Sequence, residues 1–221
     1  MNLLQKQELE AKKLSTGTTT LGLICKDCTI LAADMQATMG NIASGKELDK
    51  IFKINDKVGV TVAGTLGDAL TVVRFIRSKA KLYEIERETP MNPKATMTFL
   101  ANILSANRYF PYFSAFILGG YNGKPELYTT DVIGGFTKEV DYASDGSGFQ
   151  LVYGLLEEQY RKELGEEDAV RLAVKAIAIA KKRDVFTGGK SIKVVVIDKA
   201  GYREIPEAKI KKLIDELKKD E

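Results

Sequence analysis

A chain of 221 residues is long enough to form one sizeable domain that buries roughly 70 to 75 per cent of its unfolded surface. Its hydrophobic fraction of 44% and charged fraction of 29% exclude a disordered or fibrous chain. Lysine and arginine total 33 against 30 aspartates and glutamates, with both signs interspersed, so we expect no nucleic-acid partner. No apolar run approaches ~20 residues and the charged N-terminus lacks the apolar segment of a signal peptide, so we expect no membrane association and a cytoplasmic location.

Two strand pairs are the first elements that the sequence predicts. Residues 18–25 and 28–34 are short, apolar and β-branched, and the polar pair between them suits a hairpin turn. Residues 50–54 and 58–63 form the second pair, divided by the turn-forming sequence Asn55-Asp56-Lys57. The structured part of the chain is therefore expected to begin as antiparallel sheet.

Two helices are predicted next. From Leu66 to Tyr83, apolar residues recur at spacings of three and four, and this helix is expected to end before Pro90. Asn92 and Pro93 are a favourable N-cap and first-turn residue for a second helix.

The second half of the chain repeats the pattern. Strands are predicted at residues 114–121, 126–132, 140–144 and 191–197, the first two joined through the hairpin sequence Asn122-Gly123. Helical spacing is found from Leu151 and from Ala169, and residues 207–221 are expected to form a surface helix after the last strand.

The order of elements predicts an α+β fold. Each helix pair must bury an apolar stripe and each sheet both of its faces, so we expect a four-layer αββα sandwich of two antiparallel sheets between helix pairs. The alternative is an α+β domain with a single sheet. We find no linker, repeat or low-complexity segment, so a single domain is expected.

Cys25 and Cys28 match the spacing Cys-x-x-Cys. A structural zinc site needs about four ligands, and the chain has no histidine and no third cysteine, so no metal or other cofactor is expected. A redox-active pair usually opens a helix, whereas these residues lie between predicted strands. We therefore favour two cysteines that flank a tight hairpin turn over a redox pair.

The absence of histidine excludes Ser-His-Asp and Cys-His catalysis, so a hydrolase of this sequence needs another base. Thr18 follows Gly17 and begins the run Thr18-Thr19-Thr20. A free α-amino group has a pKa of about 7.7 to 8.0, which suits a general base at neutral pH. A cut before Thr18 would supply a hydroxyl nucleophile and its base in one residue, whereas an isolated β-branched strand remains the simpler interpretation of this run alone.

The run resembles the start of mature proteasome β subunits, which are N-terminal nucleophile (Ntn) hydrolases. Further landmarks follow in the family order: residues 31–34 (LAAD), 37–40 (ATMG), Lys50, 62–68 (VAGTLGD), 144–148 (SDGSG), 153–154 (YG) and 183–184 (RD). The resemblance implies the Ntn-hydrolase fold and a threonine endopeptidase. It also implies a propeptide, residues 1–17, removed by autocleavage between Gly17 and Thr18, and a mature domain of residues 18–221.

The resemblance assigns the catalytic residues Thr18, Asp34 and Lys50. A lysine beside the hydroxyl favours alkoxide character, and a carboxylate holds that lysine in place. It also assigns Gly64 to the oxyanion hole through its backbone N–H.

Ser147, Asp184 and Thr187 are the residues that the resemblance assigns to orienting Thr18. Thr187 departs from the serine that the family generally has, although it keeps the hydroxyl.

The substrate is expected to bind as an added strand along backbone groups of Thr38 and Gly64. The first specificity pocket is expected to be lined by Ala37, Leu48, Val62, Leu66 and Leu70. This lining is apolar, so we predict cleavage after large hydrophobic residues.

The implied partners are proteasome α subunits and other β subunits in heptameric rings stacked α7β7β7α7, a regulatory ATPase acting through the α ring, and unfolded polypeptide substrate. Gln36 stands where archaeal relatives usually have a basic residue, which puts the bonding around Asp34 in question. Two alternatives remain: an HslV-like protease or another Ntn hydrolase such as an amidase, and a catalytically silent structural β subunit.

Overall fold

The computed structural model describes residues 17–39 and 42–219. The predicted leader therefore lies outside the described residues, apart from Gly17. In these ranges the first strands are β1 Thr19–Ile24, β2 Cys28–Asp34, β3 Ala37–Met39, β4 Ile42–Gly45, β5 Ile51–Asn55 and β6 Val58–Gly64. The later strands are β7 Ser114–Tyr121, β8 Pro125–Thr130, β9 Phe136–Glu139, β10 Tyr142–Gly146, β11 Ile192–Asp198 and β12 Gly201–Glu204. The helices are α1 Leu66–Arg87, α2 Pro93–Ala106, α3 Phe149–Gln159, α4 Glu166–Arg183 and α5 Glu207–Leu217.

Two five-stranded antiparallel sheets form the centre of the fold. The first has the strand order β10-β1-β2-β11-β12, and the second has the order β5-β6-β7-β8-β9. A short antiparallel ribbon, β3-β4, leaves the end of β2. The prediction of two antiparallel sheets, rather than one, is confirmed.

Alternation along the strands shows how the sheets stack. In β2, Ile30 and Ala32 pack in a core with α3, α4 and α5, whereas Leu31 and Ala33 pack between the two sheets. The outer face of the second sheet packs against α1 and α2. The layers therefore run helices, sheet, sheet, helices, which confirms the αββα sandwich.

The sheets approach each other closely at Gly22 of β1. A Cβ placed on Gly22 would lie 2.5 Å from a methyl carbon of Leu127 in the opposite sheet. A side chain at this position would therefore push the sheets apart, close to the residue where β1 begins.

The helix boundaries follow local sequence. The side chain of Asn92 accepts a hydrogen bond from the backbone N–H of Ala95, with Pro93 at the first helical position, as predicted. α1 ends at Arg87, and its C-cap, Glu88, takes a left-handed conformation with φ of 53°. No helix in the described part of the chain is long and apolar enough to cross a membrane.

Four strands were not predicted. β3, β4 and β9 are three or four residues long, too short for alternation to appear, and β4 and β9 are largely exposed. β12 follows β11, so the strand at residues 191–197 is not the last. The strand predicted at residues 140–144 corresponds to β10, which lies at a sheet edge.

Cys25 and Cys28 flank the β1–β2 turn, as favoured from the sequence, but they also form a disulfide that the sequence did not predict. Both are buried, and the backbone N–H of Cys25 donates to the carbonyl of Cys28. Because the turn holds the two residues 5.3 Å apart between Cα atoms, a bond between them needs no other element.

Candidate active site

The candidate site lies at the open end of the β1–β2 hairpin, opposite the cysteine turn. Thr20 pairs with Ala33, so the next residue along each strand is Thr19 on one side and Asp34 on the other. Thr18, just before β1, is 3% exposed and Asp34 is fully buried. The pairing register thus brings a hydroxyl, predicted as a nucleophile, beside a buried carboxylate.

One oxygen of Asp34 gathers three donors. Its Oδ1 accepts from Thr18 Oγ1 at 2.9 Å, from the backbone N–H of Thr19 at 3.0 Å and from Lys50 Nζ at 2.6 Å. Lys50 is 4% exposed, so this is a buried ion pair. The three predicted core residues, Thr18, Asp34 and Lys50, therefore meet at a single atom.

The other oxygen of Asp34 is held by backbone. Oδ2 accepts from the N–H of Gln36 at 3.1 Å and from the N–H of Gly188 at 2.9 Å. The carboxylate therefore has five hydrogen-bond donors and satisfies the requirement that a buried charge be paired and bonded. The bonding that the sequence left open at Gln36 is provided by its main chain.

Burial lowers the pKa of Lys50 below its ordinary value. The Asp34 carboxylate, by attraction and hydrogen bonding, and Asp184, by attraction alone, act in the opposite direction but do not outweigh the desolvation of the ammonium group. A lysine with a lowered pKa gives up its proton more readily than one in water, which is typical of a site that moves protons.

Ser147 links Thr18 to Asp184. Its hydroxyl accepts from the backbone N–H of Thr18 at 3.2 Å and lies 2.5 Å from Asp184 Oδ2, to which it can donate. The backbone N–H of Ser147 donates to the Thr18 carbonyl at 2.7 Å. The predicted orienting serine thus contacts the nitrogen that would become the N-terminal amine.

Thr187 completes this arrangement. Its hydroxyl donates to Asp184 Oδ2 and lies 2.5 Å from the hydroxyl of Thr19. Thr187 is buried, and the contacts of its hydroxyl show that threonine can occupy this position. All three predicted orienting residues lie within one hydrogen-bonded chain that reaches Thr18 and Thr19.

A cavity of about 250 Å³ opens beside Thr18. It is lined by Gly17, Thr18, Gln36, Ala37, Thr38, Ser44, Leu48, Lys50, Val62, Gly64 and Leu66. Four of the five residues predicted for the specificity pocket line this cavity, whereas Leu70 is not among them.

Gly64, the last residue of β6, lines the cavity. It is exposed, has φ of 114°, and a Cβ there would lie 2.2 Å from the carbonyl oxygen of Phe113. Only glycine fits this backbone conformation and this contact. The backbone of β6 therefore reaches the cavity without a side chain in front of it.

The sequence did not single out Thr19, Gly188 or Phe186. Thr19 binds Asp34 through its backbone and Thr187 through its side chain, and the run of three threonines was the signal for it. Phe186 packs on Gly17 so closely that a Cβ on Gly17 would lie 1.8 Å from the Cβ of Phe186. No sequence pattern indicated this contact, because the two residues are far apart in the chain.

Among the described residues, no group of three histidine, cysteine, aspartate or glutamate side chains could hold a metal ion.

Comparison of the chain with known proteins identifies a family. Residues 14–197 match the family described as proteasome subunit. The chain is 44% identical over 206 residues to proteasome subunit beta 2 of Pyrococcus furiosus, covering 93% of this chain and 99% of the relative. It is 44% identical over 201 residues to proteasome subunit beta 1 of Thermococcus sibiricus, covering 91% and 96%. It is 42% identical over 208 residues to proteasome subunit beta of Archaeoglobus profundus, covering 94% and 96%.

Proposed function

The chain belongs to the proteasome subunit family, and from this premise we propose that it is a catalytic β subunit, a threonine endopeptidase that cuts itself between Gly17 and Thr18. The observation that carries the proposal is the shared atom, Asp34 Oδ1, to which the Thr18 hydroxyl and the Lys50 ammonium both donate inside the protein. A buried ion pair is costly to maintain, and here it lies against a hydroxyl beside a cavity.

The leader acts as a lock. While Gly17 is attached, the nitrogen of Thr18 is an amide that donates to Ser147 and cannot accept a proton. Cleavage makes it an amine, and the same serine then holds that amine next to the Thr18 hydroxyl. Residues 1–17 are therefore the propeptide and residues 18–221 the mature domain.

The mature site supports acyl transfer. The amine takes the hydroxyl proton while Thr18 Oγ attacks the carbonyl carbon of the substrate, and the N–H of Gly64 stabilises the oxyanion of the tetrahedral intermediate. The intermediate collapses to an ester on Thr18, and the departing amine leaves with the proton. The α-amine of Thr18 then deprotonates a water molecule, which hydrolyses the ester and restores the enzyme.

The test is peptide hydrolysis by the particle assembled with a proteasome α subunit. Thr18→Ala is expected to abolish hydrolysis, whereas Thr98→Ala, an exposed helical threonine whose hydroxyl bonds only to its own helix, is expected to leave it unchanged. Equal hydrolysis by Thr18→Ala and wild type would refute the proposal. A processed, assembled and inactive wild type would support the silent-subunit alternative.

The lining of the cavity suggests the substrate preference. Most of its exposed surface is apolar, with Ala37, Leu48, Val62 and Leu66 forming the wall, and the ammonium of Lys50 is engaged by Asp34. Burial of an apolar side chain in an apolar pocket is favourable by about 25 cal/mol of free energy per Å² of surface buried. We expect cleavage after large hydrophobic residues, and faster cleavage after arginine in a peptide panel would contradict this.

Family membership implies assembly into a multi-subunit complex. We propose that this complex is the α7β7β7α7 stack, that a regulatory ATPase feeds it unfolded polypeptide through the α ring, and that it works in the cytoplasm. A sevenfold ring in projection images of the particle would support this arrangement. A sixfold ring would favour the HslV-like alternative.

A further inference from the structure

We propose that Gln36 is a positioning residue, which ties the strand expected to bind substrate to the loop that orients Thr18. This inference rests on the proposed function of the site. It concerns a side chain that the mechanism above does not use, because only the backbone N–H of Gln36 reaches Asp34.

The side-chain amide of Gln36 spans two elements. Its Nε2 donates to Thr38 Oγ1 at 3.2 Å and to the carbonyl oxygen of Val185 at 3.3 Å. A primary amide nitrogen has two protons, so the two bonds use its full donor capacity. One bond ends in β3, and the other ends in the loop that follows α4.

Both ends of this bridge lead to the site. Thr38 is buried and lines the cavity beside Thr18. Val185 follows Asp184, whose carboxylate binds the hydroxyls of Ser147 and Thr187. Because the side chain of Val185 is 79% exposed, packing of that side chain does little to hold its peptide unit. The amide of Gln36 therefore gives the cavity wall and the Asp184 loop a shared anchor.

The surroundings of Gln36 fit an amide and reject an acid. A Cβ on Gly188 would lie 2.2 Å from Gln36 Oε1, so that loop passes directly over the carbonyl end of the side chain. The backbone N–H of Met35 donates to the carbonyl of Gly188 and keeps the loop there. A glutamate would offer no proton to Thr38 or Val185 and would add a second carboxylate near Asp34.

The expected consequence concerns binding more than chemistry. An extended peptide adds to the backbone of β3, so a mobile Thr38 weakens binding. Thr18, in contrast, keeps its own bonds to Asp34 and Ser147 without the bridge. Loss of the amide should therefore raise KM more than it lowers kcat.

The test uses the assembled, processed particle and a fluorogenic peptide. Gln36→Met has nearly the length of glutamine without its donors, and Gln36→Ala serves as a second variant should methionine pack poorly. Each is expected to raise KM about tenfold while kcat changes less than threefold, since two modest hydrogen bonds are lost. Gln150→Met, an exposed glutamine in α3, is the matched control and should leave both constants unchanged.

A double-mutant cycle tests whether the Gln36 side chain acts on substrate binding through Thr38. In a Thr38→Val background, Gln36→Met should raise KM at least threefold less than it does in wild type, because one acceptor is already gone. An unchanged KM in the Gln36 variants of an active particle would overturn this inference alone. Effects of the two substitutions on KM that multiply without coupling would also overturn it. So would a fall in kcat at constant KM in the Gln36 variants. An inactive, processed wild type would instead overturn the proposed function, and this inference with it.

Discussion

The two ends of the β1–β2 hairpin are equally buried and chemically opposite. At the turn, Cys25 and Cys28 are 2% and 3% exposed and pack in an apolar core with the helices. At the open end, Thr18 and Asp34 are 3% and 0% exposed. The same two strands thus end in an apolar disulfide on one side and in a network of charged and hydroxyl groups on the other.

The difference separates stability from function. A buried apolar end gains free energy from burial alone, whereas a buried carboxylate needs its five hydrogen-bond donors merely to offset its desolvation. Because this carboxylate adds little to the free energy of folding, we attribute its burial to the proposed catalytic role. Changes at the open end should therefore alter activity, with or without a loss of stability, whereas changes at the turn should alter stability alone.

The largest effect is expected at the ion pair. Asp34→Asn removes the charge that holds Lys50 and is expected to lower peptide hydrolysis by at least 100-fold, with loss of roughly 3 to 5 kcal/mol of stability from the unpaired ammonium. Initial rates and thermal unfolding of the assembled particle measure both. Lys193→Met, which breaks peripheral ion pairs with Asp49 and Glu204, is the control and should retain its activity. A fully active Asp34→Asn would show that the ion pair at the open end is not needed for the reaction.

Gly17 is the next position at the open end. A Cβ there would meet the Cβ of Phe186 at 1.8 Å, so Gly17→Ala should displace the bond to be cut and slow leader removal by roughly tenfold or more, since small misplacements of reacting groups are costly. Mass spectrometry of the chain during assembly follows the reaction. Gly154→Ala, with open space around it in α3, should process at the wild-type rate. Equal processing of both variants would show that the Phe186 contact is unimportant.

The pH dependence of activity is expected to report the titration of groups at the open end. If protonated Lys50 is required, kcat/KM falls as pH rises through its pKa, and burial places that pKa below the ordinary 10.5. The fall should approach tenfold per pH unit and begin before pH 10.5, while the acid limb reports deprotonation of the Thr18 amine. Sedimentation at each pH checks that the particle remains assembled. A flat profile up to pH 10.5 would exclude this role for Lys50.

The smallest effect is expected at the turn. The disulfide closes a loop of only four residues, for which loop entropy gives about 2 kcal/mol, or roughly 4 to 8 °C in the Tm of the isolated chain. Wild type refolded with and without reductant should differ by this amount, and Cys25→Ala/Cys28→Ala should not respond to reductant. Peptide hydrolysis by the assembled particle should stay the same. A loss of activity on reduction would mean that the two ends are coupled.

Local sequence predicted the long elements because their patterns are strong. The apolar spacing from Leu66 and the Asn92-Pro93 start gave both helices of the first pair, and the β-branched runs gave β1 and β2 almost to the residue. The ribbon β3-β4 was missed because its strands are short and its pairing depends on the chain folding back at the cavity.

Only part of the candidate site could be predicted from the sequence. The resemblance assigned Thr18, Asp34 and Lys50, and the structure brings them together. The contacts of Gly17 with Phe186 and of the Gln36 side chain with Val185 join distant parts of the chain, so no local pattern could predict them.

The central claim is that the amine of Thr18 is the base, and leader removal tests it most directly. The intact mass of the chain, measured after co-expression with an α subunit and alongside peptide hydrolysis, should show loss of residues 1–17 together with the appearance of activity, and Thr18→Ala should show neither. An active particle whose chains still have Gly17 attached to Thr18 would contradict the account, because an amide nitrogen cannot accept the proton.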